Sequence, residues 1–179
     1  MKKYLSFTSR ALVTAIAAAG LCYIANANAA DESKTSTESK LSANDKKFVK
    51  KAYKGGMTEV EASKMAKDKA KNDATKDVAE HMITDHGKAN DRLMEIAKEE
   101  NLDLSKVEAK PVKMTGDDFD KEYLTMMKKD HETTIAMFEK EAGDAGAKED
   151  SDVVKFAKDT LPTLKEHLKM VEDAMAKMK

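Results

Sequence analysis

Cysteine is almost absent from this chain: of 179 residues only Cys22 is one, and there is no tryptophan. The fold must therefore stand without disulfides or a thiolate metal site, and no thiol serves as a catalytic nucleophile. Proline (two residues) and aromatics (5%) are scarce, and no segment alternates apolar and polar residues as a half-buried strand would. There is no surplus of basic charge: the formal net charge is −1, so nothing in the composition builds a phosphate-neutralising stripe, and nucleic acid is excluded as the main partner. No Ser/His/Asp set sits in a nucleophile-elbow context. Gly55-Gly56 lacks the strand–turn–helix setting of a phosphate loop and is expected to mark either a close helix approach or a local break.

What is there begins with an export signal. Lys2, Lys3 and Arg10 precede an alanine-rich apolar run from Ala11 to Ile24, and small residues follow from Ala25 to Ala30. The run is shorter than the ~20 residues of a spanning helix. Leu21 occupies the place before Cys22 where a lipobox needs a small residue, so ordinary cleavage after Ala27 or Ala29 is expected. Removing residues 1–29 takes three positive and no negative charges, leaving 179 − 29 = 150 residues, a net charge of −1 − 3 = −4 and no cysteine. Residues 30–45 are polar and aperiodic, as in a disordered tether, and residues 46–179 form one domain.

In that domain four segments carry apolar residues at three- and four-residue spacing. The spacing predicts helices over Lys46–Lys71, with Asn44 or Asp45 as N-cap, over Ala74–Glu100, from Asp117 or Asp118 to Gly143, and from Asp150 or Ser151 to the C-terminus, with a kink at Pro162. The fold class is all-α, a four-helix bundle. The link from Asn101 to Gly116 has 16 residues. At ~3.3 Å each it extends about 50 Å, enough to cross a 26-residue helix of about 39 Å or to turn back locally. Met65, Met82, Met94, Met127, Met137, Met170 and Met175 fall at core spacing, so the eleven methionines remaining after Met1 read as core filler rather than copper ligands.

One short pattern occurs twice: Met82-x-x-Asp85-His86 and Met127-x-x-Asp130-His131, each with a large apolar residue seven positions beyond the histidine (Leu93, Phe138). His86 shares an apolar row with Met82, Leu93 and Ala97, and His131 shares one with Leu124, Met127 and Phe138. His167 lies between Leu164 and Val171, and Glu59 lies seven residues from both Ala52 and Ala66. His81 shares its face with Asp77, Thr84 and Lys88 and is expected in solvent. Each helix thus turns one polar group inward, all near mid-helix. Glu59, His86, His131 and His167 have the chemistry to bind one divalent transition metal (Zn, Fe, Mn or Cu), with Asp85 and Asp130 placed to accept hydrogen bonds from the histidines behind it. The same set suits a buried hydrogen-bond network that fixes helix register, the blander of the two readings.

These motifs, together with Phe48-x₃-Ala52, Gly55-Gly56-Met57-x-Glu59-Val60, Phe119-Asp120-x₂-Tyr123 and Leu161-Pro162-x₄-His167-Leu168, resemble a bacterial exported family. It is known as domain of unknown function 4142 and is often labelled a predicted outer-membrane protein. The resemblance covers roughly residues 45–175. It implies a ferritin-like four-helix domain and an envelope location, periplasmic or peripheral to the outer membrane, but no reaction. A di-iron centre of the ferritin type uses Glu-x-x-His. Here Ile83, Lys128 and Leu164 stand three before the histidines, which argues against one. The remainder of the chain offers no second hydrophobic span and no barrel strands. Three readings follow: a non-enzymatic envelope protein with a metal-binding layer, a metal-dependent enzyme with an open position in that layer, or a helical chaperone or interaction module. A partner in the envelope, or self-association, is compatible with each.

Overall fold

Helix boundaries in this chain are set by side chains that occupy the orphan N–H groups of the first turn. The computed structural model describes residues 39–143 and 151–178. The expected signal segment and residues 30–38 of the expected tether lie outside the described residues. Helix α1 spans Ala43–Lys69, α2 Asp73–Glu99, α3 Phe119–Ala142 and α4 Asp152–Lys177. Among the described residues there is no strand, so the fold is all-α.

The N-cap of α1 is Ser42, not Asn44 or Asp45. Ser42 Oγ accepts from the Asp45 N–H (3.1 Å) and Asp45 Oδ2 accepts from the Ser42 N–H (3.1 Å). This reciprocal box, with Asp in the place usually held by Glu or Gln, draws the helix start three residues ahead of the expected Lys46. Asn72, Asp118 and Ser151 cap the other three helices. Helix α4 continues through Pro162, whose ring is exposed; the Lys158 carbonyl that it leaves without a helical donor lies on an exposed residue too.

Two apolar cores fix how the helices run. One gathers Phe48, Val49 and Ala52 from the start of α1 with Leu93 and Ile96 from the end of α2, Phe138 from the end of α3, and Val153, Phe156 and Ala157 from the start of α4. The other gathers Ala62 and Ala66, Val78, Ala79 and Met82, Tyr123, Leu124 and Met127, and Val171 with Ala174 from the opposite ends. Hence α1 and α4 run one way, and α2 and α3 the other. Helix α1 packs on α2 and α3, and α4 on α3 and α2, which leaves α2 and α3 diagonal.

The link over residues 100–118 therefore crosses the length of the bundle. Asn101 starts it in the left-handed region (φ 52°). There the Leu102 N–H reaches the Ala97 carbonyl (2.7 Å) and the Asn101 N–H reaches that of Lys98 (3.3 Å), a Schellman termination of α2. Leu102 and Leu104 pack on the first core, the Lys110 N–H donates to Thr58 Oγ1 (2.9 Å) at mid-α1, and Val112 and Met114 pack on the second core. At its far end Asp120 accepts the N–H groups of Lys71 and Asn72 (3.0 Å each), tying the α1–α2 turn to α3.

Met82 and Met127 are buried, but Met94, expected in the core, is 43% exposed. The paired glycines mark a close approach and not a break. A Cβ on Gly56 would lie 2.3 Å from Asn90 Oδ1, whereas one on Gly55 meets nothing within 4 Å. Gly55→Ala is therefore expected to gain up to about 1 kcal/mol from helix propensity. Gly56→Ala is expected to fall about 1–3 kcal/mol below it, because the buried Asn90 amide must move. Urea denaturation of the two variants checks this, and equal stabilities would overturn it.

Candidate metal centre

Between the two cores lies a slab with no apolar filling at its centre. Glu59, His86, His131 and His167, one from each helix, are all buried there. The three rings stand with centroids 5.3–5.4 Å apart, and one nitrogen from each lies within 4.8 Å of the others. The helices bring these residues together because each is near mid-helix and each continues an apolar stripe. His81 is exposed.

Partners that only accept hydrogen bonds assign the tautomers. His131 Nδ1 lies 3.0 Å from the Met127 carbonyl, so Nδ1 carries the proton. His167 Nε2 lies 3.2 Å from Asp85 Oδ2, so Nε2 carries that ring's proton. Both rings are held neutral: burial, chiefly, pushes His131 below its ordinary value, and burial with the nearby His86 pushes His167 down to about 4. The remaining nitrogens, His131 Nε2 and His167 Nδ1, are 3.4 Å apart, and each bears a lone pair. Two acceptors thus face one another without a proton between them.

His86 is different. Burial disfavours its charge, but Glu59 beside it outweighs burial and raises its pKa; burial likewise acts to raise Glu59, and His86 outweighs it to leave Glu59 lowered. His86 Nε2 lies 3.0 Å from Glu59 Oε2. The ring N–H direction nevertheless misses the carboxylate, so Nε2 has an ionic partner and no aligned hydrogen bond. Glu59 Oε1 is 3.8 Å from His131 Nδ1.

The two aspartates of the repeat part company. Asp85 bonds His167 on α4 rather than the His86 next to it, and is lowered by His167 and Lys88 against the effect of burial. Asp130 bonds none of the three rings; it lines the groove between α1 and α3 with Lys110, and burial foremost, then Glu59, raises its pKa. Sequence reasoning also passed over Asn90 and the Ser63–Tyr123 pair. Asn90 is buried one turn beyond His86, its Oδ1 unpartnered, and Tyr123 Oη meets Ser63 Oγ at 2.8 Å one turn beyond Glu59. The signal for Asn90 was its i+4 spacing from His86 on the inward row.

Below about pH 6.5 an unfolded chain takes up protons that the buried His131 and His167 refuse, so their contribution to stability falls as pH drops, for His167 down to about pH 4. Glu59, lowered in the fold, adds a loss below about 4.5, while the raised His86 acts the other way, stabilising at low pH. With two lowered histidines against one raised, the melting temperature of the metal-free protein is expected to fall from pH 7 to pH 4.5. The accompanying loss of stability is up to about 1.4 kcal/mol per pH unit for each refusing ring. In His167→Gln the slope should be visibly shallower; an unchanged slope would show that the ring takes its proton inside the fold.

Residues 30–174 match the model of a family described as a domain of unknown function (DUF4142). No curated protein and no solved structure matches the chain. The match takes in the whole of α1, α2 and α3 and most of α4, with all four residues of the buried layer. The chain belongs to the DUF4142 family.

Proposed function

We propose that this protein is an exported, ferritin-like helical bundle that binds one divalent transition metal, Zn, Fe, Mn or Cu, through His86, His131 and His167, with Glu59 as a fourth ligand. The observation that carries it is the pair of lone pairs facing each other at 3.4 Å across His131 Nε2 and His167 Nδ1. Two nitrogens bound at ~2.1 Å to a tetrahedral ion stand about 3.4 Å apart. An ion between them converts a repulsion into two bonds. The outer nitrogens are already anchored on Met127 and Asp85, which is how ligating imidazoles are usually held. His86 enters by exchanging its proton for the ion, so loading releases a proton. The trio, whose nitrogens lie within 4.8 Å, tightens by up to about 1.4 Å to reach that spacing.

The ferritin-like assignment is supported by the long link that makes α2 and α3 parallel. Export is supported by the charged and apolar pattern of residues 1–29. No described helix is long and apolar enough to cross a membrane. Among the described residues Met94 is the one large apolar side chain that is exposed, which speaks against a broad client-binding surface.

The test is metal analysis of the untagged chain with Zn, Cu, Mn and Fe, together with melting curves. The expected result is about one ion per chain and a rise on the order of 5–10 °C at an ion concentration about a hundredfold above Kd. The rise should vanish in His86→Ala and His131→Ala while helical circular dichroism is retained. No stoichiometric ion and no shift would make the layer a register-fixing network.

A further inference from the structure

Against the His86 side of the layer lies a small cavity of about 30 Å³, bordered by Glu59, His86 and Asn90 among apolar walls that include Leu93 and Phe138. A single water needs about 10–15 Å³, so this space takes one small molecule and rejects larger ones. One polar atom on a residue bordering it, Asn90 Oδ1, is buried with no hydrogen-bond partner, while His86 Nε2 has its ion pair with Glu59. Asn90 is 7% exposed, and it occupies its place only because Gly56 lacks a Cβ. A buried polar atom without a partner is costly, and one that borders a cavity of this size calls for a ligand there.

We infer that this cavity is a co-ligand seat, where a molecule of one or two heavy atoms binds the metal as a fifth ligand beside the three histidines and Glu59 while hydrogen-bonding the Asn90 amide. The inference rests on the metal-binding reading and extends it from holding an ion to presenting the ion to a small ligand. Access is from the groove under the crossover link, about 410 Å³, which shares Gly55, Glu59, Thr134 and Met137 with the cavity. Gly55 presents no side chain to that passage. The groove is bordered by Lys51, Lys54 and Lys110 against Glu59 and Asp130, an excess of one positive charge that favours a small anion over a cation as the entering species. Asn90, which touches the ligand and not the ion, is a positioning residue.

The experiment uses the cobalt(II)-loaded full chain, with cyanide as probe and thiocyanate as the size control, read by the cobalt visible spectrum and by bound cobalt per chain. Cyanide is expected to shift the spectrum and thiocyanate not to. In Asn90→Leu, cobalt per chain should be unchanged while cyanide binds at least tenfold more weakly. Gly55→Leu, whose Cβ meets nothing within 4 Å, should slow cyanide association at least threefold with the same cobalt content, and it keeps the proposal testable should the Asn90 variant fold poorly. Cobalt bound with cyanide indifferent to both substitutions, or thiocyanate binding as well as cyanide, would overturn the co-ligand seat and leave the metal site standing. Failure to bind cobalt at all would remove the metal reading, and this inference with it.

Discussion

Too few protons are available in the middle of this bundle for the acceptors gathered there. Burial keeps His131 and His167 neutral, so each ring has one proton to place, and each places it outward, on Met127 and on Asp85. That commitment leaves two lone pairs pointing inward at 3.4 Å. Side chains left free would turn away from such a contact. They are held because the slab is bounded on both sides by dry cores, with Met82, Met127 and Leu124 fully buried at one end and Phe48 against Phe138 (4.8 Å) at the other. Packing of this density resists rotamer changes that would relieve the repulsion. The strain in the layer is thus maintained by apolar burial elsewhere, and an ion is the natural means of relieving it.

The long link determines which side chains meet. Because it carries the chain back across the bundle, α2 and α3 run parallel at opposite corners, and α1 and α4 do likewise. The repeated Met-x-x-Asp-His pattern then falls on two helices related by an approximate rotation about the bundle axis, and the same rotation sets Glu59 of α1 opposite His167 of α4. This explains why the two aspartates differ. Asp85 looks across to α4 and meets an imidazole that donates to it. Asp130 looks across to α1 and meets Glu59, a second carboxylate; that repulsion, added to burial, raises its pKa. One sequence pattern yields a hydrogen bond on one side and an electrostatic conflict on the other, because the helix it faces carries a different residue.

Much of this was legible beforehand. Apolar periodicity placed four helices to within about three residues, and the inward rows brought Glu59, His86, His131 and His167 to one level, since a side chain's face follows from local period alone. The path of residues 100–118 was not legible, because a chain long enough to cross the bundle is equally able to turn back. What selects crossing is the fit of Leu102 and Leu104 at one end, the Lys110–Thr58 bond midway and Val112 with Met114 at the other. Those contacts depend on tertiary structure. Asn90 was passed over for a related reason: a buried amide is informative only through what it touches, and its neighbours Gly56 and the small cavity come from another helix.

The layer is asymmetric in a way that bears on its use. On the Tyr123 side it is closed: Ser63 and Tyr123 satisfy one another at 2.8 Å, and both are fully buried. On the Asn90 side it is open by the volume of one small molecule, and Asn90 Oδ1 there lacks a partner. A network whose only task was to fix register would gain from closing that side too, since an unpaired buried acceptor costs about 1–3 kcal/mol. Gly56 makes the point sharper. Glycine inside a helix costs roughly 1 kcal/mol against alanine, and here it is what allows Asn90 to face the cavity. A chain that carries both costs at the same place, beside three imidazoles and a carboxylate, is built to leave one position unfilled. The co-ligand reading requires that property, and a layer that only holds four helices in register has no use for it.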